Sequence, residues 1–477
     1  MVKRFKILMG YDDLGVVFDA DNFVLRKVLP EFKKRSKKIF DYYKKFNLSK
    51  IGIVETDLAL EYGDNFFKHK KHAITYPHEW TAGMFKDTAL WHLDLFLNLS
   101  KYDLALKDAH PHNILFDEGK FIFVDFLSLS EQDSLKNERS LIEFAGSVKD
   151  PRFKDPRFIV FDEMFFPEFI VPLILMARQE YSKARDIICY RGRNFEAKVP
   201  CWDDLSNPEF SKKFLKEFWQ NFKIKQFLNQ KRKLSFCDFC VEVKNFISDL
   251  DVKPKSSVYD TYYKDKNEFF AFDFSDNWGE KQKSVYQVLK EHKPKTVLDI
   301  GANTGWFSIL AAKHGAKVFA TDVEESSIDL LYSYTKKNNL DIIPLLLSFQ
   351  DLEKEVYGGY DSRLDFKKPR ENPIFSSGIN RLKSDMVLFL ALFHHLVLGD
   401  GISVERIFEK LSKLTKKTLL LEYILFNDDL ITKHYYNSEY KKLYYSLDFV
   451  IEKSKKYFKE VEILKSSKSR TILLFKK

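Results

Sequence analysis

The run from Thr296 to Asp322 restricts this chain more than any other. Thr296–Ile300 reads as a short apolar strand, Asp299-Ile300-Gly301-Ala302-Asn303-Thr304-Gly305 as a small-residue turn, and Trp306–His314 as a helix. Lys317–Thr321 reads as a second strand that delivers Asp322 at its end. Such a βαβ unit has a right-handed crossover and puts its ligand site at the carboxyl ends of the strands. Gly301 and Gly305 let backbone approach a ligand and let the helix begin close against the strand. Asp322, roughly twenty positions beyond the turn, stands where a carboxylate accepts both hydroxyls of a ribose. A dinucleotide fingerprint needs glycine at 303 and 306, where this chain has Asn303 and Trp306, so NAD and FAD are disfavoured.

The alternation continues. A helix is expected over Glu325–Asn338, strands over Ile342–Leu347 and Asp385–Ala391, and a helix over Ser403–Leu414. A fifth strand is expected over Thr418–Tyr423, then one long helix over Thr432–Phe458. Glu460–Leu464 and Arg470–Phe475 read as a hairpin adding an antiparallel edge to a parallel sheet. The expected fold class is α/β, with a Rossmann-like seven-stranded C-terminal domain. Residues 1–130 differ in texture, mixing strands (Gly15–Phe18, Phe23–Val28, Ile51–Glu55, Phe121–Asp125) with helices (Glu31–Phe46, Ala82–Leu99) in an α+β manner. Residues 131–255 read as helical, with periodic apolar positions through Phe165–Met176 and Phe210–Phe227, and a polar break follows at Asp251–Ser257. The expected domains are 1–130, 131–255 (a continuation of the N-terminal domain or a linker domain) and 256–477, in keeping with two or three domains for 477 residues.

Composition narrows the class. Apolar residues at 45%, charged at 31% and only 17 Gly and 14 Pro exclude collagenous and largely disordered chains. A net charge of +9 is mild for this length and reads as solvated surface, so nucleic acid is not the expected partner. No run reaches spanning length; the stretch 385–399 is the nearest approach and contains two histidines. The first residues lack the apolar core of a signal peptide, and four cysteines (Cys189, Cys201, Cys237, Cys240) make no disulfide framework. A cytoplasmic protein is expected. Cys237-Asp238-Phe239-Cys240 has half a zinc spacing, but Cys189 and Cys201 are too far apart to complete it, so free thiols and no metal are expected.

Val297-Leu298-Asp299-Ile300-Gly301-Ala302-Asn303-Thr304-Gly305 followed by Asp322 resembles the first two motifs of class I S-adenosylmethionine (SAM)-dependent methyltransferases. The resemblance implies that Asp299, Gly301, Ala302, Asn303 and Gly305 take the methionine portion, and that Asp322 with Val323 takes the ribose. That family often carries an acid after the third strand to meet the adenine. Here Ser348-Phe349-Gln350-Asp351 follows, offering Gln350 or Asp351 as the polar contact and Phe349 as a stacking face. The fourth strand runs into His394 and His395, where the family frequently places a histidine beside the transferred methyl. Methyl transfer is an in-line displacement, so a neutral imidazole can take the nucleophile's proton. His395 is the preferred candidate, His394 the second, and a capping or core hydrogen bond is the alternative use of either. Glu422, at the end of the fifth strand, is expected at the site mouth as an acceptor for a substrate hydroxyl or amine. The connection Asp351–Ser384, with Tyr357, Tyr360, Arg363, Arg370 and Arg381, would overlie the strand ends, and Tyr262, Tyr263, Lys281 and Lys283 are lid candidates.

The N-terminal part carries a second pattern. Lys107-Asp108-Ala109-His110-Pro111-His112-Asn113-Ile114-Leu115, then Phe121-Ile122-Phe123-Val124-Asp125-Phe126, resembles the catalytic loop and metal-binding strand end of kinase-like phosphotransferases. The resemblance implies that Asp108 orients an acceptor hydroxyl and that Asn113 and Asp125 hold magnesium with ATP. No Gly-rich phosphate loop precedes it, and the Lys–Glu pair is unassignable, with Arg26 or Lys27 and Glu79 as conceivable members, so the site reads as kinase-like in architecture and degenerate in chemistry. With Tyr76-Pro77-His78-Glu79-Trp80 and Phe393-His394-His395-Leu396 in order, the chain resembles methyltransferases related to bacterial nodulation proteins. That resemblance implies O-methylation of a glycan or another small hydroxylated acceptor. The alternatives are a bifunctional kinase and methyltransferase, a SAM-binding scaffold without turnover, and RNA methylation. The sequence specifies no oligomeric state.

Overall fold

A computed structural model describes residues 5–12, 14–137, 155–190, 231, 233–257, 272, 274–355, 375–434 and 439–477. Within these the chain forms two compact units, one of residues up to 253 apart from 79–81, the other of 79–81 and residues from 254 onward.

The second unit is built on a seven-stranded sheet. Its strands are β10 (Thr296–Ile300), β11 (Lys317–Asp322), β12 (Ile342–Leu346), β13 (Ser384–Phe389), β14 (Thr415–Ile424), β15 (Glu460–Lys465) and β16 (Arg470–Lys476). Their order is β12-β11-β10-β13-β14-β16-β15. The first five run parallel, and β16 pairs antiparallel with both β14 and β15, so the hairpin forms the expected edge. Central strands are apolar on both faces because helices cover both; every residue of β13 is buried. Pro344 sits inside β12, tolerated because β12 is an edge strand and needs no donor on its open side. Val285, Leu289, Leu310, Leu331, Met386 and Leu420 belong to one buried cluster against this sheet.

The long helix expected over Thr432–Phe458 is not one helix. Asp429–His434, Glu439–Tyr445 and Leu447–Ser454 are separate helices, the last opened by Ser446, whose hydroxyl accepts from the backbone N–H of Phe449. A serine N-cap restarts the helix where periodicity alone would run on. Strand β14 begins three residues earlier than its apolar pattern because Thr415 already pairs with Ser384.

The first unit holds an antiparallel five-stranded sheet ordered β1-β2-β3-β5-β4, with strands Lys6–Asp12, Gly15–Asp19, Phe23–Val28, Thr56–Leu58 (β4) and Phe66–Lys70 (β5). Helix Lys33–Phe46 buries Ser36, Ile39, Phe40 and Tyr43. The short strands β6 (Leu104–Leu106) and β9 (Leu129–Glu131) pair with each other, as do β7 (Ile114–Asp117) and β8 (Lys120–Phe123). The strand expected over Ile51–Glu55 is only a bridge from Ile53 to Phe123, because Leu48–Ile51 closes as a 3-10 turn capped by Gly52 at φ 98°. A Cβ on Gly52 would lie 2.4 Å from the Trp91 ring, so glycine is required there.

The helical stretch of Phe165–Met176 is only partly regular. Phe161–Ile170 is a π-helix with Pro167 inside it, passing into the α-helix Val171–Ala177. Pro167 lacks the N–H that an α-helical ladder would use, and a widened turn accommodates the loss. The Phe210–Phe227 stretch lies outside the described residues. Cys237 and Cys240 lie on helix Phe236–Asp249 as free thiols, and Cys201 lies outside the described residues. No described helix is long and apolar enough to cross a membrane.

Candidate active site

The turn after β10 is shaped by three left-handed residues, Gly301 (φ 76°), Asn303 (φ 53°) and Gly305 (φ 81°). Gly301 and Ala302 both donate backbone N–H to the Thr321 carbonyl, which ties the turn to the neighbouring strand β11. A Cβ on Gly305 would lie 2.4 Å from Leu331 Cδ1, so helix Trp306–Lys313 can begin this tightly only from glycine. The tension between left-handed backbone and side-chain bulk is thus resolved in favour of a close turn.

Asp322, at the end of β11, receives the backbone N–H of Asn303 on Oδ2 at 2.8 Å. Its Oδ1 accepts from Val323 N at 2.7 Å and Glu324 N at 3.0 Å. The carboxylate is held by neutral amides and remains half-buried. Val323 beside it is 71% exposed. Asp299 is buried at the end of β10 and accepts from Ser308 Oγ at 2.7 Å. Burial first, and then the nearby Asp322, push its carboxyl up to about 6, against the opposing Ser308 bond and Lys281. Ser308 was not visible as a site residue in the sequence; its place in the first turn of the helix facing β10 was the available signal.

The segment after β12 departs from its expected form. Phe349 is buried against Phe389 with Lys410 Nζ 4.6 Å from its ring centre, so it is core, not an open stacking face. Gln350 is exposed and donates to Asp400 Oδ2 at 2.9 Å. Asp351 accepts from Ser348 Oγ at 2.7 Å and opens the 3-10 turn Asp351–Glu353.

His394 and His395 follow β13 with ring centres 4.0 Å apart. His394 is buried and His395 exposed. Burial, His395 and Arg470 lower the His394 pKa to about 3, so its ring is neutral throughout the physiological range. Leu392, two residues earlier, packs 3.3 Å from where a Gly301 Cβ would be, which brings the histidine loop beside the glycine turn.

Glu422 does not stand open at the mouth. It is fully buried, with Lys281 Nζ donating to Oε2 at 2.6 Å and Ser466 Oγ to Oε1 at 3.4 Å. Lys281 comes from the first turn of helix Glu280–His292, and Lys283 pairs with Glu280. A second buried acid, Asp428, accepts from Arg470 Nε at 3.0 Å and Ser469 Oγ at 2.6 Å. Neither pairing was legible from spacing. Arg381 forms a bidentate pair with Glu79, both almost fully buried. Tyr262, Tyr263, Tyr357, Tyr360, Arg363 and Arg370 lie outside the described residues.

In the first unit, Asp108 and Asn113 lie on the loop between β6 and β7, and Asp125 follows β8. The Asp108 N–H donates to Ser128 Oγ at 3.0 Å, and Asn113 accepts the Val124 N–H at 2.8 Å on its carbonyl. These bonds draw the loop and the strand end together. His110 Nδ1 lies 2.6 Å from Oε1 of Glu168, a carboxylate buried within the π-helix. Arg26 Nη1 donates to Asp125 Oδ1 at 3.0 Å.

Parts of this chain are similar to known proteins. The FtsJ-like methyltransferase family profile matches residues 280–472. The nodulation protein NoeA of Rhizobium meliloti (strain 1021) is 25% identical over 379 residues, covering 76% of this chain and 70% of that protein. A ribosomal protein L11 methyltransferase of Thermotoga maritima is 40% identical over 80 residues, 16% of this chain and 29% of its own length. Among solved structures, the bifunctional kinase-methyltransferase WbdD aligns with a TM-score of 0.30 at 15% identity, covering 49% of this chain and 45% of that one. TehB from Haemophilus influenzae aligns with a TM-score of 0.28 at 16% identity, covering 46% and 67%.

Proposed function

We propose, from the premise that this chain is a SAM-dependent methyltransferase with its FtsJ-like domain over residues 280–472, that it methylates a hydroxyl of a glycan, sugar-derived or other small acceptor. The observation that carries this reading is the cradle at the ends of β10 and β11. There, three left-handed residues open the backbone, and two carboxylates, Asp299 and Asp322, stand at the ends of adjacent strands, the groups that suit an ammonium and a ribose. SAM, when bound, supplies a methyl on a sulfonium. Asp299 with the Gly301–Gly305 turn takes its amino-acid end, Asp322 and Val323 its ribose, and Gln350 or Asp351 the adenine edge.

His395 takes the acceptor's proton at a ring nitrogen. Its neighbour His394, with the ring tilted 39° to it, stays neutral, so the imidazolium formed on His395 meets no imidazolium beside it. Glu422, neutralised by Lys281, anchors helix Glu280–His292 at the ends of the strands and acts through that position. The N-terminal residues 1–130, with residues 131–255, bind or orient the acceptor for the domain 256–477. The whole works in the cytoplasm.

Calorimetric titration of SAM into the full chain tests the cofactor assignment. Asp322→Ala is expected to weaken SAM at least thirtyfold with the fold intact; unchanged affinity removes the ribose assignment. With methyl-labelled SAM and a glycan acceptor pool, His395→Ala is expected to lower labelling at least tenfold at unchanged SAM affinity. A bifunctional reading is favoured by the Asp108, Asn113 and Asp125 pattern, and it predicts magnesium-dependent ATP turnover that Asp125→Ala abolishes.

A further inference from the structure

The helix Val404–Leu414 carries a lysine on its buried face. Its buried positions are Val404, Ile407, Phe408, Lys410, Leu411 and Leu414, so Lys410 stands within the apolar stripe and is only 5% exposed. A lysine at a helix surface bends its ammonium out to water. This one turns inward. Its Nζ donates to the Phe349 carbonyl at 2.9 Å and to the Gln350 carbonyl at 3.2 Å, and lies 3.3 Å from Glu353 Oε2. The centre of the Phe349 ring is 4.6 Å away. Three oxygens thus meet an ammonium that has three N–H groups. Burial lowers the Lys410 pKa, against the pull of Glu353. An apolar side chain of similar length would fill the same space at little cost in stability, so packing does not explain the lysine.

What it holds is the backbone just beyond β12. There the Leu347 N–H donates to the Asp322 carbonyl at 3.0 Å, so the segment begins beside the acid assigned to the ribose. Its far end closes as a turn, with the Asp351 N–H donating to Ser348 Oγ at 3.0 Å. In a planar trans peptide the carbonyl and the N–H point opposite ways. The Phe349 carbonyl, drawn to Lys410, therefore turns the Gln350 N–H away from the helix. Gln350 is exposed, and no group among the described residues accepts that N–H. Its side chain is engaged elsewhere: Nε2 donates to Asp400 Oδ2 at 2.9 Å, and the Asp400 N–H donates to the His395 carbonyl at 2.9 Å.

On the reading that the segment after β12 meets the adenine, we propose that Lys410 is a positioning residue of the cofactor site: by holding the Phe349 and Gln350 carbonyls it keeps the Gln350 N–H turned outward as a donor to N1 of the base. Adenine accepts at N1 and donates from its 6-amino group, whereas hypoxanthine carries a hydrogen on N1 and an oxygen at position 6. A fixed N–H donor opposes that N1–H, and a site built for one hydrogen-bond pattern rejects the other. Without Lys410 the Phe349–Gln350 peptide is free to turn its carbonyl outward and accept from N1–H. Discrimination between the bases is then lost while the rest of the nucleoside still binds.

Calorimetric titration of S-adenosylhomocysteine and S-inosylhomocysteine into the full chain tests it. Wild type is expected to bind the adenosyl compound at least thirtyfold tighter. Lys410→Met is expected to narrow that ratio below threefold, with affinity for the inosyl compound within threefold of wild type. An unchanged ratio in the folded variant overturns the proposal, as does a wild type that binds both compounds equally. A variant that loses both affinities in the same proportion makes Lys410 a general support of the fold and overturns it too. A wild type that binds neither compound overturns the cofactor reading along with it. Should Lys410→Met fail to melt cooperatively, Lys410→Gln is read against the same limits, and failure of both to fold makes the lysine a requirement of folding and overturns the positioning role.

Discussion

Each unit of this protein puts an aspartate at a strand end beside a loop, and the two have been given opposite partners. Asp322 is held by three backbone N–H groups, from Asn303, Val323 and Glu324. Asp125 is held by the guanidinium of Arg26. Neutral amides orient a carboxylate without cancelling its charge, so it can still serve a ligand. A nearly buried guanidinium instead brings a full opposite charge against the carboxylate it holds. Geometry alone would rank the two sites as equals; the charge of the partner separates them.

The largest effect expected on this comparison comes from the turn that aims the amides. Gly305→Ala places a Cβ against Leu331 at a positive φ and should cost about 3 kcal/mol of stability by denaturant unfolding. A cost below about 1 kcal/mol would mean that the turn relaxes and that the cradle does not depend on it.

The next effect is a pH dependence. The carboxyl of Asp299 is raised in the folded protein, so its contribution to stability is complete below its ordinary value near 4 and is lost as pH rises through about 6. Between those limits the SAM-free protein should lose on the order of 2 kcal/mol, and Asp299→Asn should flatten that slope. An unaltered slope in the variant would assign it to other groups.

The smallest effects bear directly on the two aspartates. Asp125→Asn removes the charge from the oxygen that Arg26 donates to and should cost about 1.5 kcal/mol in thermal or urea unfolding. Asp322→Asn keeps an oxygen for the amides and should cost about 0.5 kcal/mol. Equal costs would erase the distinction drawn between the sites.

The glycine turn, the βαβ alternation, the hairpin edge and the kinase-like loop were legible in the sequence because each is written within about thirty consecutive residues. Helix restarts were less so. Ser446 reads as an ordinary polar residue on a helix until its hydroxyl is seen on the Phe449 N–H. The π-helix around Pro167 likewise replaces a regular helix that the apolar period of Phe165–Met176 suggested.

By itself, then, the sequence determined the order of the main strands and helices from Thr296 to Leu414, the left-handed positions Gly301 and Gly305 of the turn, and the acid that ends β11. Tertiary structure alone decided which charges meet: Lys281 with Glu422, Arg470 with Asp428, and Arg26 with Asp125. It also decided that Phe349 is core and that His394 is buried while His395 is not. The physical reason is range. Backbone preference and apolar periodicity act between neighbours in the chain, whereas the charge and burial of a side chain are set by groups that folding brings from far along it.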